Sequence, residues 1–190
     1  AAIQPWIAWL YLAHPRLLFG RQYWAVSPNT PPPLLENASP DSIPIGFSDD
    51  ADYLGAVGRF VARTLLAIPP ELRLVADRET YFLLTLFFLL KEKNLRLISV
   101  WHPSFLTLLL DAIPRHLPAL LRMLRSGELS TSGLEPNLHV RLATRLSPDP
   151  RRADELESLD LPAHPDRIAR VWPRLEVVSC WTGDRSAPWL

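Results

Sequence analysis

A chain of 190 residues, 48 % apolar and 21 % charged, has room for one domain with a sizeable core. Its 20 Lys and Arg balance 20 Asp and Glu, so no net field draws it toward nucleic acid or an acidic membrane, and no nucleic-acid motif is present. One cysteine, Cys180, excludes an internal disulfide framework and suits a reducing, cytoplasmic setting.

In chain order, Ile3, Trp6, Ile7 and Leu10 recur at helical spacing, which predicts an amphipathic helix over Ala1–Leu12 that stops near His14-Pro15. The first residues show no basic stretch followed by a long apolar run, so no secretory signal is expected. Arg21–Val26 reads as a short strand, and the proline-rich Ser27–Pro44 as a surface loop. A helix should open at Ser48 or Asp49 and end at Pro69-Pro70. Asp49, Asp50 and Asp52 are explained by helix-start chemistry, so no metal site is expected there.

Asp77–Asn94 is apolar nearly all round from Tyr81 to Leu90, the pattern of a helix sandwiched in a core. That apolar run of ten residues covers about 15 Å as a helix, half of a bilayer core, so no membrane span is expected from it. Leu95–Trp101 then reads as a strand covered on both faces. Pro103 starts a helix, Pro114 separates it from a second one, and Gly127 terminates that. Ser130–Pro150 is polar and irregular; Arg151–Leu159 and Pro165–Val171 are short helices, and Leu175–Trp181 is the last strand. The expected class is α/β, a partial open sheet with βαβ crossovers and helices on both faces.

The two clearest strands echo each other, "LISVWHPS" and "VVSCWTGD". Ligands of open α/β sheets bind outside the carboxyl ends of strands, which points to Trp101–Ser104 and Trp181–Asp184. Phosphate-loop, dinucleotide and nucleophile-elbow motifs are absent from the sequence. The five histidines have no ligand spacing, and of them only His102 stands at a strand end. Cys180, inside a strand, is expected to be an inert core thiol.

Four segments, "HPRLLFGRQYW", "IPIGFSDDADYLG", "LRLISVWHPSFLTLLLDAI" and "WPRLEVVSCWTGDRSAP", together resemble the bacterial branch of the auxin-responsive-promoter family. Its members are acyl-acid amido synthetases, related in fold to acyl-adenylate-forming enzymes. The resemblance implies that residues 1–190 are an internal segment of the large N-terminal adenylating domain. It also implies a two-step reaction: ATP and Mg²⁺ activate a carboxylic acid as its adenylate, and an amino acid amine then takes the acyl group. The family's Ser/Thr/Gly-rich phosphate loop, its Ser-Ser-Glu segment and its C-terminal lid have no counterpart here, so no catalytic residue is assigned and no cofactor is expected to bind the segment tightly.

Matching positions make Trp101, Ser104 and Phe105 the candidates for the acyl-acid pocket, and Thr182, Gly183 and Asp184 those for the adenylate. The expected partners are a small carboxylic acid and an amino acid, with self-association through exposed sheet edges. The alternative is a non-catalytic module that keeps a pocket for a hydrophobic carboxylic acid.

Overall fold

The computed structural model describes residues 3–25, 65–129 and 134–180. The proline-rich loop, the helix expected from Ser48 and the adenylate candidates lie outside them. Helix α1 (Ile3–Ala13) carries no charged residue, and Pro15 starts a 3₁₀ turn, Pro15–Phe19, directly after it. Strand β1 (Arg21–Trp24) follows from Gly20. A Cβ at Gly20 would lie 2.7 Å from Asn94 O, so only glycine lets this backbone pass so close.

Helix α2 (Arg78–Lys91) starts at Asp77, whose carboxylate accepts the Thr80 N–H at 2.8 Å. Every residue from Leu84 to Leu90 is buried, as its nearly continuous apolar run predicts. A buried helix end needs partners for its last carbonyls. Glu92 N–H donates to Phe88 O, Trp172 Nε1 to Leu89 O at 2.8 Å, and Arg152 Nε to Leu90 O at 2.7 Å. The buried Arg152 also donates to Val171 O and to Glu155, so one guanidinium ties three segments together.

Strand β2 (Leu95–Val100) lies between β1 and β3 (Val177–Cys180), and both pairings are parallel. Tyr23, Ile98 and Val100 face the large core with α2. Leu97 faces the other way, against Leu10 and Leu17. Helices on both faces, a parallel sheet and the crossover are as the sequence predicts. Cys180 is a correction: it is half-buried at the margin of the core, because β3 has only one strand neighbour among the described residues.

Between β2 and β3 the chain forms α3 (Pro103–Ser126), α4 (Pro136–Ala143), α5 (Pro150–Ser158) and α6 (Ile168–Val171). Pro114 does not separate two helices; α3 runs through it and through Pro118. Both prolines are exposed, while Leu109, Ile113, Leu117, Leu120 and Leu124 form one buried stripe across the expected break. By length and mean hydropathy (1.2) α3 could cross a membrane. Its buried stripe and its exposed Arg115, Arg122 and Arg125 are the pattern of a core helix.

Gly127 ends α3 at φ 72°, a left-handed cap. Helix α4 corrects the reading of 130–150 as irregular. Glu135 caps it by accepting Asn137 and Leu138 N–H, and Leu138 and Leu142 bury its inner face.

Candidate functional site

The strands end together at Trp24, Val100 and Cys180. One residue before the ends of β2 and β3, the register sets Trp24, Ser99 and Ser179 side by side. They share the face of Leu97 and Val177, so two hydroxyls and an indole form a row on the α1 side. Trp24 meets Trp6 edge to face at 5.7 Å and donates from Nε1 to Gln22 Oε1 at 3.1 Å. The "LISV"/"VVSC" echo was the sequence signal for this row, because it pairs Ser99 with Ser179 in register.

Past β2, the side chain of His102 caps α3 and shapes the turn. Its Nδ1 accepts Ser104 N–H at 3.2 Å and lies 2.8 Å from Ser104 Oγ. An accepting Nδ1 places the proton of the neutral ring on Nε2. Phe105 N–H donates to His102 O, so the first donors of α3 are engaged within the turn and not left open for an anion. The Ser–His separation suits a nucleophile and base, yet this pair is occupied as a helix cap.

Trp101 is 54 % exposed, and its Nε1 donates to Ala25 O at 3.0 Å, across to the end of β1. Phe105 goes the other way: it stacks on Phe82 of α2 at 5.8 Å and packs against the core. Arg78 sits 5.6 Å above the same Phe82 ring. Trp101, Ser104 and Phe105 thus surround one strand end, but their side chains engage three different partners. Thr182, Gly183 and Asp184 lie outside the described residues, as do Asp49, Asp50 and Asp52.

Among the described residues no group of three or more His, Cys, Asp or Glu could hold a metal. Several titratable groups displaced from their ordinary values belong to caps and ion pairs, and others are displaced by burial. The Thr80 hydroxyl and N–H lower Asp77, and the Asn137 and Leu138 N–H groups lower Glu135. Burial alone would raise the nearly buried Glu71, but its own backbone N–H, Arg145 and Arg141 outweigh that and lower it. Burial lowers His116, and Arg115 adds to the effect.

The sequence model of the GH3 family N-terminal domain matches residues 38–190. No curated protein matches the chain. Among solved structures, "AtGH3.15 acyl acid amido synthetase in complex with 2,4-DB" superposes with a TM-score of 0.63 at 16 % identity, over 95 % of this chain and 31 % of that one. "GH3.15 acyl acid amido synthetase" gives 0.55 at 19 % identity, over 66 % and 23 %. At such identities the likeness is one of fold, and the chain spans less than a third of the length of either neighbour.

Proposed function

The chain belongs to the GH3 family, and from that premise we propose that it is part of the adenylating domain of an acyl acid amido synthetase, the activity its structural neighbours are named for. The supporting observation is the family match over residues 38–190, which falls on a chain whose fold follows those neighbours.

In the reaction, a carboxylate oxygen of the acid attacks the α-phosphorus of ATP and pyrophosphate leaves. The amine nitrogen of an amino acid then attacks the acyl carbon, AMP leaves, and the nitrogen gives up a proton. Activation is needed because a carboxylate is a poor electrophile. The described residues offer no ligand set for Mg²⁺.

What these residues offer is the wall of a pocket for a hydrophobic acid. Trp101 presents an exposed indole, tethered at Ala25 so that its ring is held in place. Ser104 lies in the capped turn, and Phe105, braced on Phe82, supports the start of α3 beneath it. Thr182, Gly183 and Asp184 are assigned to the adenylate. Because α3 spends its first donors on His102, the phosphate donors come from elsewhere in the enzyme. Loss of even one such donor typically costs about 10²–10³-fold in rate.

The test is acid-dependent exchange of pyrophosphate into ATP, run on the 190-residue chain and on the full-length gene product with a panel of aromatic and aliphatic acids. Exchange is expected from the full-length product, weakened about tenfold in apparent acid affinity by Trp101→Ala, and none from the 190 residues. A full-length protein without exchange would sink the activity, and exchange by the short chain would sink the division of labour.

A further inference from the structure

Arg78 stands where local chemistry disfavours it. It is the first residue of α2, directly after the cap Asp77, at the end where the helix dipole favours carboxylates over cations. The carboxylates on either side of it are engaged elsewhere: Asp77 accepts the Thr80 N–H, and Glu79 pairs with Arg115 at 3.2 Å. Among the described residues no carboxylate pairs with Arg78, and its exposed guanidinium instead lies 5.6 Å from the centre of the Phe82 ring.

That ring places the charge. Phe82 stacks on Phe105 at 5.8 Å with 29° between the planes, so Arg78, Phe82 and Phe105 form one ladder from α2 to the start of α3. Both phenylalanines are partly buried against the large core, which anchors the ladder. An arginine held over an aromatic face has five N–H donors, and those along its rim stay available to a second partner. Phe105 belongs with Trp101 and Ser104 to the wall proposed for the acid.

We infer that Arg78 is a specificity-determining residue of that wall, and that it selects acids carrying a second anionic group remote from the reacting carboxylate. The inference rests on the acid-binding role proposed above. The reacting carboxylate belongs with Thr182, Gly183 and Asp184, which follow β3 in the sequence, whereas Arg78 is reached from the wall through Phe105 and Phe82. An acid that lies across the wall with its reacting end toward the adenylate presents its other end to the ladder. A second carboxylate there gains charge-assisted hydrogen bonds, bidentate in the best geometry. A hydrocarbon tail gains only the aromatic surface and leaves the guanidinium unpaired.

The test is calorimetry on the full-length gene product with aliphatic and aromatic dicarboxylic acids, each beside its own monomethyl ester, at low salt. The best diacid is expected to bind about tenfold more tightly than its ester. Arg78→Met should remove that preference and leave the affinity for the ester unchanged, and Arg78→Lys, which keeps the charge without the fork, should retain part of it. Equal affinity for diacid and ester in the unaltered protein overturns the inference, and so does the binding of neither. A loss in Arg78→Met shared equally by both ligands also overturns it, since Arg78 would then only support Phe82. Pyrophosphate exchange is read separately. Exchange without a diacid preference leaves the activity standing and removes the role of Arg78, whereas a preference that Arg78→Met abolishes, without exchange, leaves the site standing and removes the activity.

Discussion

On the face of the sheet that carries α2, Tyr23, Ile98 and Val100 look into a continuous apolar core that reaches α3, α4 and α5, whereas among the described residues the α1 face holds a small cluster of buried Leu10, Leu17 and Leu97 with Trp6, Tyr11, Trp24 and Val177 packed against it. The narrow face compensates with a polar device. The buried Gln22 donates from Nε2 to Leu17 O at 3.0 Å and accepts at Oε1 from Tyr11 at 2.8 Å and Trp24 at 3.1 Å. Area holds the broad face, non-directionally. On the narrow face, directional bonds to one side chain set where α1 and its turn sit. The proposed acyl wall, Trp101 to Phe105, stands at the strand ends between these two regimes.

The comparison is tested most severely by cavities. Phe87 is fully buried on the broad side, and Phe87→Ala should cost about 3–5 kcal/mol, read as a fall in the urea midpoint at constant slope. Leu10→Ala on the narrow side should cost less, about 2–3 kcal/mol. Equal losses would erase the distinction between the faces.

Arg152→Met comes next. It leaves Leu90 O and Val171 O buried without donors, and about 3 kcal/mol should be lost. The exposed pairs of Arg125 with Asp154 and Glu157 join α3 to the helix that carries Arg152, yet Arg125→Met should change stability by less than about 1 kcal/mol. The contrast rests on burial, since both guanidinium groups make several bonds.

Gln22→Leu is the sharpest probe of the narrow face. If apolar area ruled there too, leucine would stabilise it. Instead Leu17 O, Tyr11 and Trp24 lose their shared partner, and about 2 kcal/mol should be lost in thermal or urea unfolding.

Pro118→Ala should move the other way. It restores a backbone N–H able to donate to Pro114 O on the exposed side of α3, and a gain of about 1–2 kcal/mol is expected. This position also shows what the sequence revealed and what it hid. The parallel sheet was legible because Leu95–Val100 has few polar interruptions and α2 is apolar nearly all round from Tyr81 to Leu90. The continuity of α3 was not, because Pro114 obeys a local rule that the stripe from Leu109 to Leu124 overrides through packing. Helix α4 had a visible signal, Glu135-Pro136 followed by Leu138 and Leu142, masked by the polar residues around it. At the site, the sequence pointed to the strand end and the serine echo. It could not show that His102 spends itself on a cap, that Trp101 reaches Ala25, or that Tyr23 meets α2, since each depends on segments that only the fold brings together.

Acid gives the smallest effect and separates the faces by charge. On the broad side, Glu71 has a folded-state pKa below its ordinary 4.5, so its contribution is complete above that pH and is lost as pH falls through the folded value. His116, lowered from 6.5, acts in the same sense: the native state holds the ring neutral, and stability falls as pH drops below 6.5 and the unfolded chain takes up the proton more readily. The Gln22 network contains no group that titrates in this range, since burial raises Tyr11 from 10.0 against the pull of Gln22. Glu71→Gln should therefore flatten the decline of Tm below pH 4.5, and His116→Gln the part that sets in below 6.5. The loss caused by Gln22→Leu should be the same at pH 4 as at pH 7. A Gln22→Leu penalty that shrank in acid would mean that the narrow face leans on charge after all, and that the division between area, directional bonds and ion pairs has been drawn in the wrong place.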